Sequence, residues 1–370
     1  ARAEPSDTLW QTLRVNGVTA DGDGHVAIRL HAPSWRPHQS VGNWDFRRLA
    51  GAVRRVEFVS DHPSTPPAPG GLSVLITTYN RWDILHRTLE SLRAQATPRV
   101  QVIVVDDGSV DGTYDRLVAY RDRHGEAFRL TIQRQENQGQ GMARNNGLAL
   151  VEEELVLFLG DDIIPAPGFV EAHLRRHITV SEPAAVVGFT DWDRGAMTVT
   201  PFMEMVNVDG HQFGYGFMKS GADQPYSCFY TSNISVPRAI LGERPFDPRF
   251  SSYGWEDVEL GYRLSLRGVR IVYDEAARAG HHHPTTVTTF YRRQEQVGAT
   301  VHKVTELHPE LARDPHMPPP EAPSWYRRIR LFAPLVARIA SAVDRRGIAL
   351  PKKLLHHLMM IGFYAGRDRH

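Results

Sequence analysis

Acidic and polar residues stand in four short groups along the chain, and the first three follow runs of apolar residues. The groups are Thr77 to Arg81, Asp106 to Ser109, Gly160 to Asp162 and Trp255 to Asp257. Carboxylates brought together in this way can bind a divalent metal ion or move a proton. Each group alone also has a structural interpretation, because Asp-Asp-Gly-Ser is good turn and helix N-cap chemistry. The groups predict chemistry only if the chain brings them to one edge of a sheet.

Three consecutive histidines, His281, His282 and His283, come later in the chain. Imidazole nitrogen beside oxygen ligands favours Mn²⁺. Alternate side chains of an extended segment face the same way, so His281 and His283 form one pair. A solvated polar loop is the alternative interpretation.

Two alternating patterns fill the segments between these groups. Continuous apolar, β-branched runs are typical of strands buried on both faces of a parallel sheet, and segments of helical period separate them. The predicted strands are Leu72–Thr77, Val100–Val105, Leu155–Leu159 and Ala184–Phe189, and the predicted helices are Asp83–Ala94, Asp111–His124, Met142–Val151, Phe169–His177 and Glu256–Arg267. The pattern predicts an α/β doubly wound fold, which binds ligands at the carboxyl ends of its strands.

Two proline-rich segments, 63–71 and 314–323, divide the chain. We expect a small β-rich domain over residues 1–69, because short alternating runs there are separated by turn residues. The α/β domain is expected over residues 70–313. Residues 314–370 are expected to form a proline-rich linker and a basic amphipathic helical tail.

Composition excludes several classes of protein. The 370 residues are 41% hydrophobic and 23% charged, with 43 Lys and Arg against 42 Asp and Glu, which is a globular composition. Disordered, collagen-like and strongly basic nucleic-acid-binding proteins are therefore disfavoured, and no nucleic-acid partner is expected. Cys228 is the only cysteine, so no intrachain disulfide is expected. Residues 1–5 have no apolar stretch of the signal-peptide kind, and we expect a cytoplasmic location.

The tail carries a local excess of positive charge. Between Trp325 and His370 stand ten Lys or Arg residues and two Asp residues, mixed with apolar residues at roughly helical spacing. Its longest apolar run, Leu331–Val343, is interrupted by Arg338 and is too short to span a membrane. Such helices lie on the inner face of an anionic membrane, as in a peripheral protein, or pack onto the α/β domain or a second subunit. Both interpretations stay open.

Taken in order, the motifs resemble those of family 2 glycosyltransferases, GT-A fold enzymes that use nucleotide-sugar donors. The resemblance covers about residues 72 to 304. It rests on six ordered segments: 74–80, 104–109, 137–147, 158–165, 254–264 and 281–284. It implies a GT-A type doubly wound, mainly parallel sheet.

The resemblance implies roles on the donor side. Thr77 and Tyr79 match positions that contact the nucleotide base, although a packed core aromatic is the alternative for Tyr79. Asp107 matches the acid that accepts from the imide N–H of uracil or thymine, so UDP-sugars are preferred, although guanine also carries an imide-type N–H. Arg144 matches an arginine near the donor diphosphate, with a solvated helix charge as its alternative. Asp161 matches a residue that contacts the ribose or the sugar.

The resemblance also implies a metal site for Mn²⁺ or Mg²⁺. Gly160 stands at the first acidic position of the family's Asp-x-Asp motif, so metal binding transfers chiefly to Asp162. By motif register His281 is the expected histidine ligand, and His283 is the second choice.

A general base is implied at Asp257, with Glu256 helping to hold the acceptor. Both residues begin a predicted helix, and the positive helix N-terminus is expected to keep Asp257 ionised. This Glu-Asp pair is typical of inverting members. The predicted reaction transfers a hexose-type sugar from a nucleotide diphosphate donor to a hydroxyl of a glycan, lipid-linked or small-molecule acceptor.

Two other functions are alternatives to this one. A sugar nucleotidyltransferase usually carries a glycine-rich loop near its N-terminus, and Leu72–Asn80 has none. A non-catalytic member that binds nucleotide sugar or glycan is favoured only by Gly160. The acceptor pocket is expected between Asp191 and Ser232, whose aromatic residues suit sugar stacking and a buried core equally: Trp192, Phe202, Phe213, Tyr215, Phe217, Tyr226 and Tyr230.

Overall fold

The computed structural model describes residues 70–125, 128–180, 183–251, 253–319, 321–323 and 325–369. All of them fall within one compact unit. The β-rich domain expected over residues 1–69 lies outside the described residues and stays a prediction.

Strands and helices alternate through the first half of the described chain. The strands are β1 (Leu72–Thr78), β2 (Val100–Asp106), β3 (Leu130–Arg134), β4 (Leu155–Gly160), β5 (Ile163–Pro165), β6 (Ala184–Trp192), β7 (Asp223–Gln224), β8 (Asn233–Pro237) and β9 (Arg270–His281). The helices are α1 (Trp82–Arg93), α2 (Thr113–His124), α3 (Gln140–Leu148), α4 (Phe169–Thr179), α5 (Pro201–Val208), α6 (Arg238–Leu241), α7 (Glu256–Leu266), α8 (Val287–Leu307), α9 (Tyr326–Ile329), α10 (Ala333–Asp344) and α11 (Lys352–Arg367).

The described strands join into one sheet in the order β3-β2-β1-β4-β8-β6-β9-β5, with β7 paired to β9. The half from β3 to β4 is parallel, as the apolar runs predict for β1, β2 and β4, whereas β3 was not predicted. The other half is mixed, because β8 runs antiparallel to both β4 and β6. The α/β fold class is thus confirmed, and β8 separates the predicted strand β6 from β4.

Helices cover both faces of the parallel half. On one face α1 buries Leu85, Leu89 and Leu92 at helical spacing against the sheet. On the other face α3 lies so close to β1 and β2 that a Cβ on Gly147 would overlap the side chain of Leu75. Each fully buried leucine contributes about 1.5 to 3 kcal/mol, so these contacts hold the strand ends in place.

The C-terminal helices pack on α8 rather than standing apart. In α11 the carbonyl oxygen of Phe363 lies where a Cβ of Gly298 in α8 would stand, and Gly366 meets the carbonyl oxygen of Glu295 in the same way. Glycines on both helices therefore let the two backbones touch. Tyr326 and Tyr364 are buried in the same apolar cluster. No helix in the described part of the chain is long and apolar enough to cross a bilayer.

The packing of α8 on α11 generates a stability prediction. Gly298→Ala places a methyl group on the backbone oxygen of Phe363, so we expect the free energy of unfolding to fall by about 1 to 3 kcal/mol. Gly195→Ala is the matched control, because nothing lies within 4 Å of its added Cβ. Chemical denaturation of both variants measures the difference. Equal stability of the two variants would contradict the close packing.

Candidate active site

Three neighbouring strands end at the same edge of the sheet and present polar residues there. Thr78 of β1 is in register with Asp106 of β2, and Thr77 is in register with Gly160 of β4. Tyr79, Asp107 and Asp161 follow these strands directly. The first three predicted groups therefore lie side by side.

The loop after β1 exposes Tyr79, whose side chain is 45% accessible, and leaves Thr77 half-buried. Asn80 holds this loop to the loop after β2: its N–H donates to Ser109 Oγ over 2.8 Å, and its Oδ1 accepts from Val110 N–H over 2.8 Å. The φ of Asn80 is +54°, a left-handed value that asparagine tolerates. Tyr79 is thus presented to solvent, and its core interpretation is wrong.

The Asp107 carboxylate fixes the entry to α3. It accepts from the N–H groups of Gln138 and Gly139 over 2.9 Å each, and from the side-chain amide of Gln135 over 2.8 Å. Gly139 has a φ of +88°, and a Cβ there would lie 2.5 Å from the carbonyl oxygen of Ser251. Two carboxylate oxygens have about four acceptor positions, so one position remains for a further donor.

Arg144 of α3 and Glu256 of α7 form a buried ion pair of 2.9 Å. The same guanidinium donates to Gln140 Oε1 over 2.9 Å and lies over the ring of Phe246. Arg144 is therefore not the solvated helix charge of the alternative interpretation. It connects α3, which Asp107 positions, with the helix that carries the predicted base.

Asp257 lies in the first turn of α7, after Trp255, which has a φ of +74°. Its Oδ1 accepts from the N–H of Val258 over 2.8 Å. Burial and the neighbouring charge of Glu256 raise the pKa of Asp257 to about 7, although Arg144 and two backbone N–H groups favour ionisation. Burial and a like charge thus oppose the helix N-terminus, which by itself favours the ionised form of Asp257.

Two buried carboxylates follow β4. Asp161 accepts from the Thr78 hydroxyl over 2.8 Å and from Arg81 over 2.9 Å. Burial raises the pKa of Asp161 to about 7, against the pull of Arg81. Asp162 behaves differently: burial opposes its ionisation, but His281, His283 and Arg81 hold its pKa well below the usual value.

Asp162, His281 and His283 form a cluster whose ligand atoms all lie within 4.8 Å of one another. Asp162 Oδ2 is 3.4 Å from His281 Nε2 and 3.2 Å from His283 Nδ1. Burial lowers the pKa of His281, which favours the neutral imidazole that a metal requires. One carboxylate oxygen and two imidazole nitrogens suit Mn²⁺, so the residues present fit a divalent metal centre.

The pairing of β5 with β9 builds this cluster. Ile163 is in register with His281, and the N–H of His282 donates to the backbone oxygen of Asp162 over 2.8 Å. His282 faces away from the cluster, where it contacts Asp193 and Arg87 at 2.8 and 2.7 Å. The structure therefore separates His281 and His283 from His282, as the alternation of side chains predicts.

Steric crowding explains why glycine stands at position 160, the first acidic position of the family's motif. A Cβ at this residue would lie 2.9 Å from Ile163 and 3.1 Å from Asp162 Oδ1. A larger residue would displace the turn that carries Asp162. The missing first carboxylate is thus compatible with an intact site.

The aromatic residues between Asp191 and Ser232 are mostly buried. Phe217 is largely exposed and Tyr230 half-buried, whereas Trp192, Phe202, Phe213, Tyr215 and Tyr226 are in the core. Trp192 stacks on His281 with ring centroids 5.3 Å apart, and His281 stacks on His283 at the same distance. The core interpretation therefore holds for most of them, and Trp192 supports the histidine pair.

Sequence reasoning assigned no role to Arg81 or Arg293. Arg81 contacts Asp161, Asp162 and His283. Its position just after the first strand is a sequence signal that could have indicated a role in the site. Arg293 of α8 lies over the Tyr253 ring at 5.4 Å and influences the pKa of both Tyr253 and His281. Arg293 therefore contributes positive charge near Tyr253 and His281, and no sequence signal marks it.

Comparison with known proteins identifies relatives of this chain. Residues 73–230 match the family model described as Glycosyl transferase family 2. The chain is similar to validoxylamine A glucosyltransferase of Streptomyces hygroscopicus subsp. limoneus, with 32% identity over 55% of this chain and 51% of that protein. It is also similar to pre-mycofactocin glycosyltransferase of Mycobacterium tuberculosis, with 26% identity over 67% of this chain and 51% of that protein. The chain spans about half the length of these relatives.

A solved structure shares the fold. The mannosyltransferase PcManGT from Pyrobaculum calidifontis, determined in complex with GDP-Man and Mn²⁺, superimposes with a TM-score of 0.52. Sequence identity is 18% over 83% of this chain and 90% of that one. Residues 73–230 therefore match glycosyltransferase family 2 in sequence, and the described residues share the GT-A fold.

Proposed function

We propose that the protein is a metal-dependent, inverting glycosyltransferase that moves a hexose-type sugar from a nucleotide diphosphate donor, preferably a UDP-sugar, to an acceptor hydroxyl. The observation that carries the proposal is the cluster of Asp162, His281 and His283 at the carboxyl edge of the sheet. Binding and catalysis in open α/β sheets take place at this edge.

The comparisons support the reaction class. The relatives are a glucosyltransferase and a glycosyltransferase by name, and PcManGT was determined with a nucleotide sugar and Mn²⁺. Because PcManGT contains a guanine nucleotide, the preference for uracil rests on this chain's own residues.

The donor nucleotide is proposed to bind at the ends of β1 and β2. The exposed ring of Tyr79 can stack on a base, and Thr77 lies beside it at the end of β1. The remaining acceptor position of Asp107 suits the imide N–H of uracil. Asp161, buried beside Thr78, would face the ribose or the sugar.

Asp162, His281 and His283 would hold Mn²⁺ or Mg²⁺, with Mn²⁺ preferred because two ligands are imidazoles. When bound, such an ion supplies charge that stabilises the departing diphosphate. Trp192 orients His281 by stacking. The β5–β9 pairing keeps Asp162 beside both rings.

Asp257 is proposed to take the proton of the acceptor hydroxyl as that oxygen attacks the anomeric carbon. A base with a pKa near 7 is well matched to this transfer at neutral pH. Glu256, held by Arg144, would contact the acceptor or keep Asp257 in place. The acceptor class, whether glycan, lipid-linked or small molecule, is not assigned by these contacts.

A membrane location is proposed from the outer face of α10. Its small residues, Ala333, Ala337 and Ala340, face the domain, whereas large apolar side chains of the same segment are exposed: Leu331, Phe332, Leu335 and Ile339. Exposed arginines border this stripe at positions 328, 330 and 338. An apolar stripe with a basic border suits an anionic lipid surface.

The donor assignment generates the first functional prediction. UDP with Mn²⁺ should raise the melting temperature of the protein more than GDP with Mn²⁺ at equal concentration, because Asp107 accepts from the uracil imide. Asp107→Asn should reduce the preference, although this change also weakens the Gln138–Gly139 turn. Stronger stabilisation by GDP would show that the base assignment is wrong.

The metal cluster generates a second prediction. Asp162→Asn and His281→Ala should each weaken Mn²⁺-dependent binding of UDP about tenfold or more, because each removes a ligand of the ion. His282→Ala is the matched control, since His282 faces Asp193 instead of the cluster. Calorimetry measures all three affinities. Equal loss in the control, or none in Asp162→Asn, would place the metal elsewhere.

The base generates a third prediction. Asp257→Asn should lower turnover by about 10² to 10⁴ while the affinity for UDP is retained. In the unmodified protein kcat/KM should fall as the pH decreases below about 7, because the protonated carboxyl cannot accept a proton. Glu256→Gln removes a like charge, so the acidic limb of the pH profile should move to lower pH. An unchanged limb would argue against Asp257 as the titrating base.

The outer face of α10 generates a fourth prediction. The protein should float with vesicles that contain anionic lipid, and the double variant Phe332→Glu and Leu335→Glu should not, because its exposed apolar stripe is replaced by negative charge. Val208→Glu is the control, since Val208 is similarly exposed on α5. Point variants are preferred to a deletion of the C-terminal helices, because removal of α11 would expose the face of α8 on which it packs. Dimerisation through this stripe without flotation would favour self-association instead.

A further inference from the structure

The side chain of Arg81 lies in the proposed metal centre. Its two terminal nitrogens bridge the neighbouring carboxylates: Nη1 is 2.9 Å from Asp161 Oδ1, and Nη2 is 2.8 Å from Asp162 Oδ2. Nη2 is also 3.5 Å from His283 Nδ1. The oxygen of Asp162 that faces both histidines is therefore the oxygen to which Arg81 donates.

We infer that Arg81 is the counter-ion of the metal centre while no metal is bound. When the divalent cation binds, the Arg81 side chain leaves Asp162 and moves to the donor diphosphate. This inference rests on the proposed function. It makes Arg81 a positioning residue that couples metal binding to donor binding.

Electrostatic repulsion opposes the joint presence of Arg81 and a metal ion at Asp162. A guanidinium and a divalent cation at the same carboxylate oxygen would repel each other strongly at a partly buried site. Without a cation, however, two adjacent buried carboxylates need a positive partner. Arg81 supplies it when no metal is bound and competes with the metal for Asp162.

The position of Arg81 in the chain allows its side chain to move from Asp162 to a bound donor. It follows Tyr79 by two residues, on the loop that Asn80 holds in a left-handed conformation. The side chain is 36% exposed, so it can turn toward solvent without disturbing the core. A diphosphate bound beside Tyr79 offers paired oxygens, which guanidinium binds in bidentate geometry. The donor thereby supplies a new partner for the displaced arginine.

The experiment measures Mn²⁺ affinity by calorimetry on the full chain, first without nucleotide and then with saturating UDP. The variants are wild type, Arg81→Gln and Arg176→Gln. Arg176 is the matched control, because it is also half-buried and pairs at 2.8 Å with a buried aspartate, Asp274, which is not part of the metal cluster.

We expect wild type to bind Mn²⁺ weakly alone and more tightly with UDP. Arg81→Gln should bind Mn²⁺ without UDP about tenfold more tightly than wild type, because the competing cation is gone. The further gain on adding UDP should be smaller than in wild type. Arg176→Gln should match wild type in both measurements.

Equal or weaker Mn²⁺ binding by Arg81→Gln without UDP overturns the inference and leaves the proposed metal centre intact. No binding of Mn²⁺ by any variant, with or without UDP, overturns the metal centre and the inference together. If Arg81→Gln does not fold, Arg81→Lys serves as the test, since one amine cannot bridge both carboxylates as the guanidinium does. It should show a smaller gain in Mn²⁺ affinity, and no gain overturns the inference.

Discussion

The burial of two adjacent carboxylates, Asp161 and Asp162, is the constraint on which the rest of the site depends. An isolated buried charge is very costly, so each carboxylate must be hydrogen-bonded and paired. Thr78 supplies a hydroxyl, and Arg81 bridges both acids. The third partner comes from much later in the chain, where β9 returns beside β5 and delivers His281. The order of strands around β4 is thus also the arrangement that stabilises these charges.

A second set of contacts runs through α3 and joins the donor side to the proposed base. Asp107 holds the N–H of Gly139 at the start of this helix, and Arg144 one turn later pairs with Glu256. The donor loop and the start of α7 are therefore connected by one short helix. Both ends of this connection are buried ion or hydrogen-bond pairs, so movement at one end would strain the other. Gly139 is required because a side chain there would meet the backbone of Ser251.

Sequence predicts the parallel half of the sheet well, since a strand buried on both faces must be continuously apolar: Leu72–Thr77 is expected and Leu72–Thr78 is found. It does not predict β3, β8 or β9. Asn233–Pro237 is short and partly polar, and Arg270–His281 contains four charged residues, among them the buried Asp274. The alternation of side chains along an extended segment predicts that His282 faces away from His281 and His283. The contacts of Arg81 could not be predicted, because they depend on the register between β1 and β4. The pKa of Asp257 depends on burial and on Glu256, which a helix-capping pattern does not reveal.

The raised pKa of Asp257 changes how the proposed base should be understood. A carboxylate with an ordinary pKa of about 3.9 is fully ionised at pH 7 but is a weak base. Burial beside Glu256 raises the pKa to about 7, which gives a stronger base that is ionised in only part of the molecules. Arg144 limits this rise, because its charge favours the ionised form of Asp257 while it pairs with Glu256. The charge of Glu256 makes Asp257 a stronger base, and the charge of Arg144 keeps a larger fraction of Asp257 ionised. The same arginine therefore holds α7 in position through Glu256 and lowers the pKa of Asp257 in the first turn of that helix.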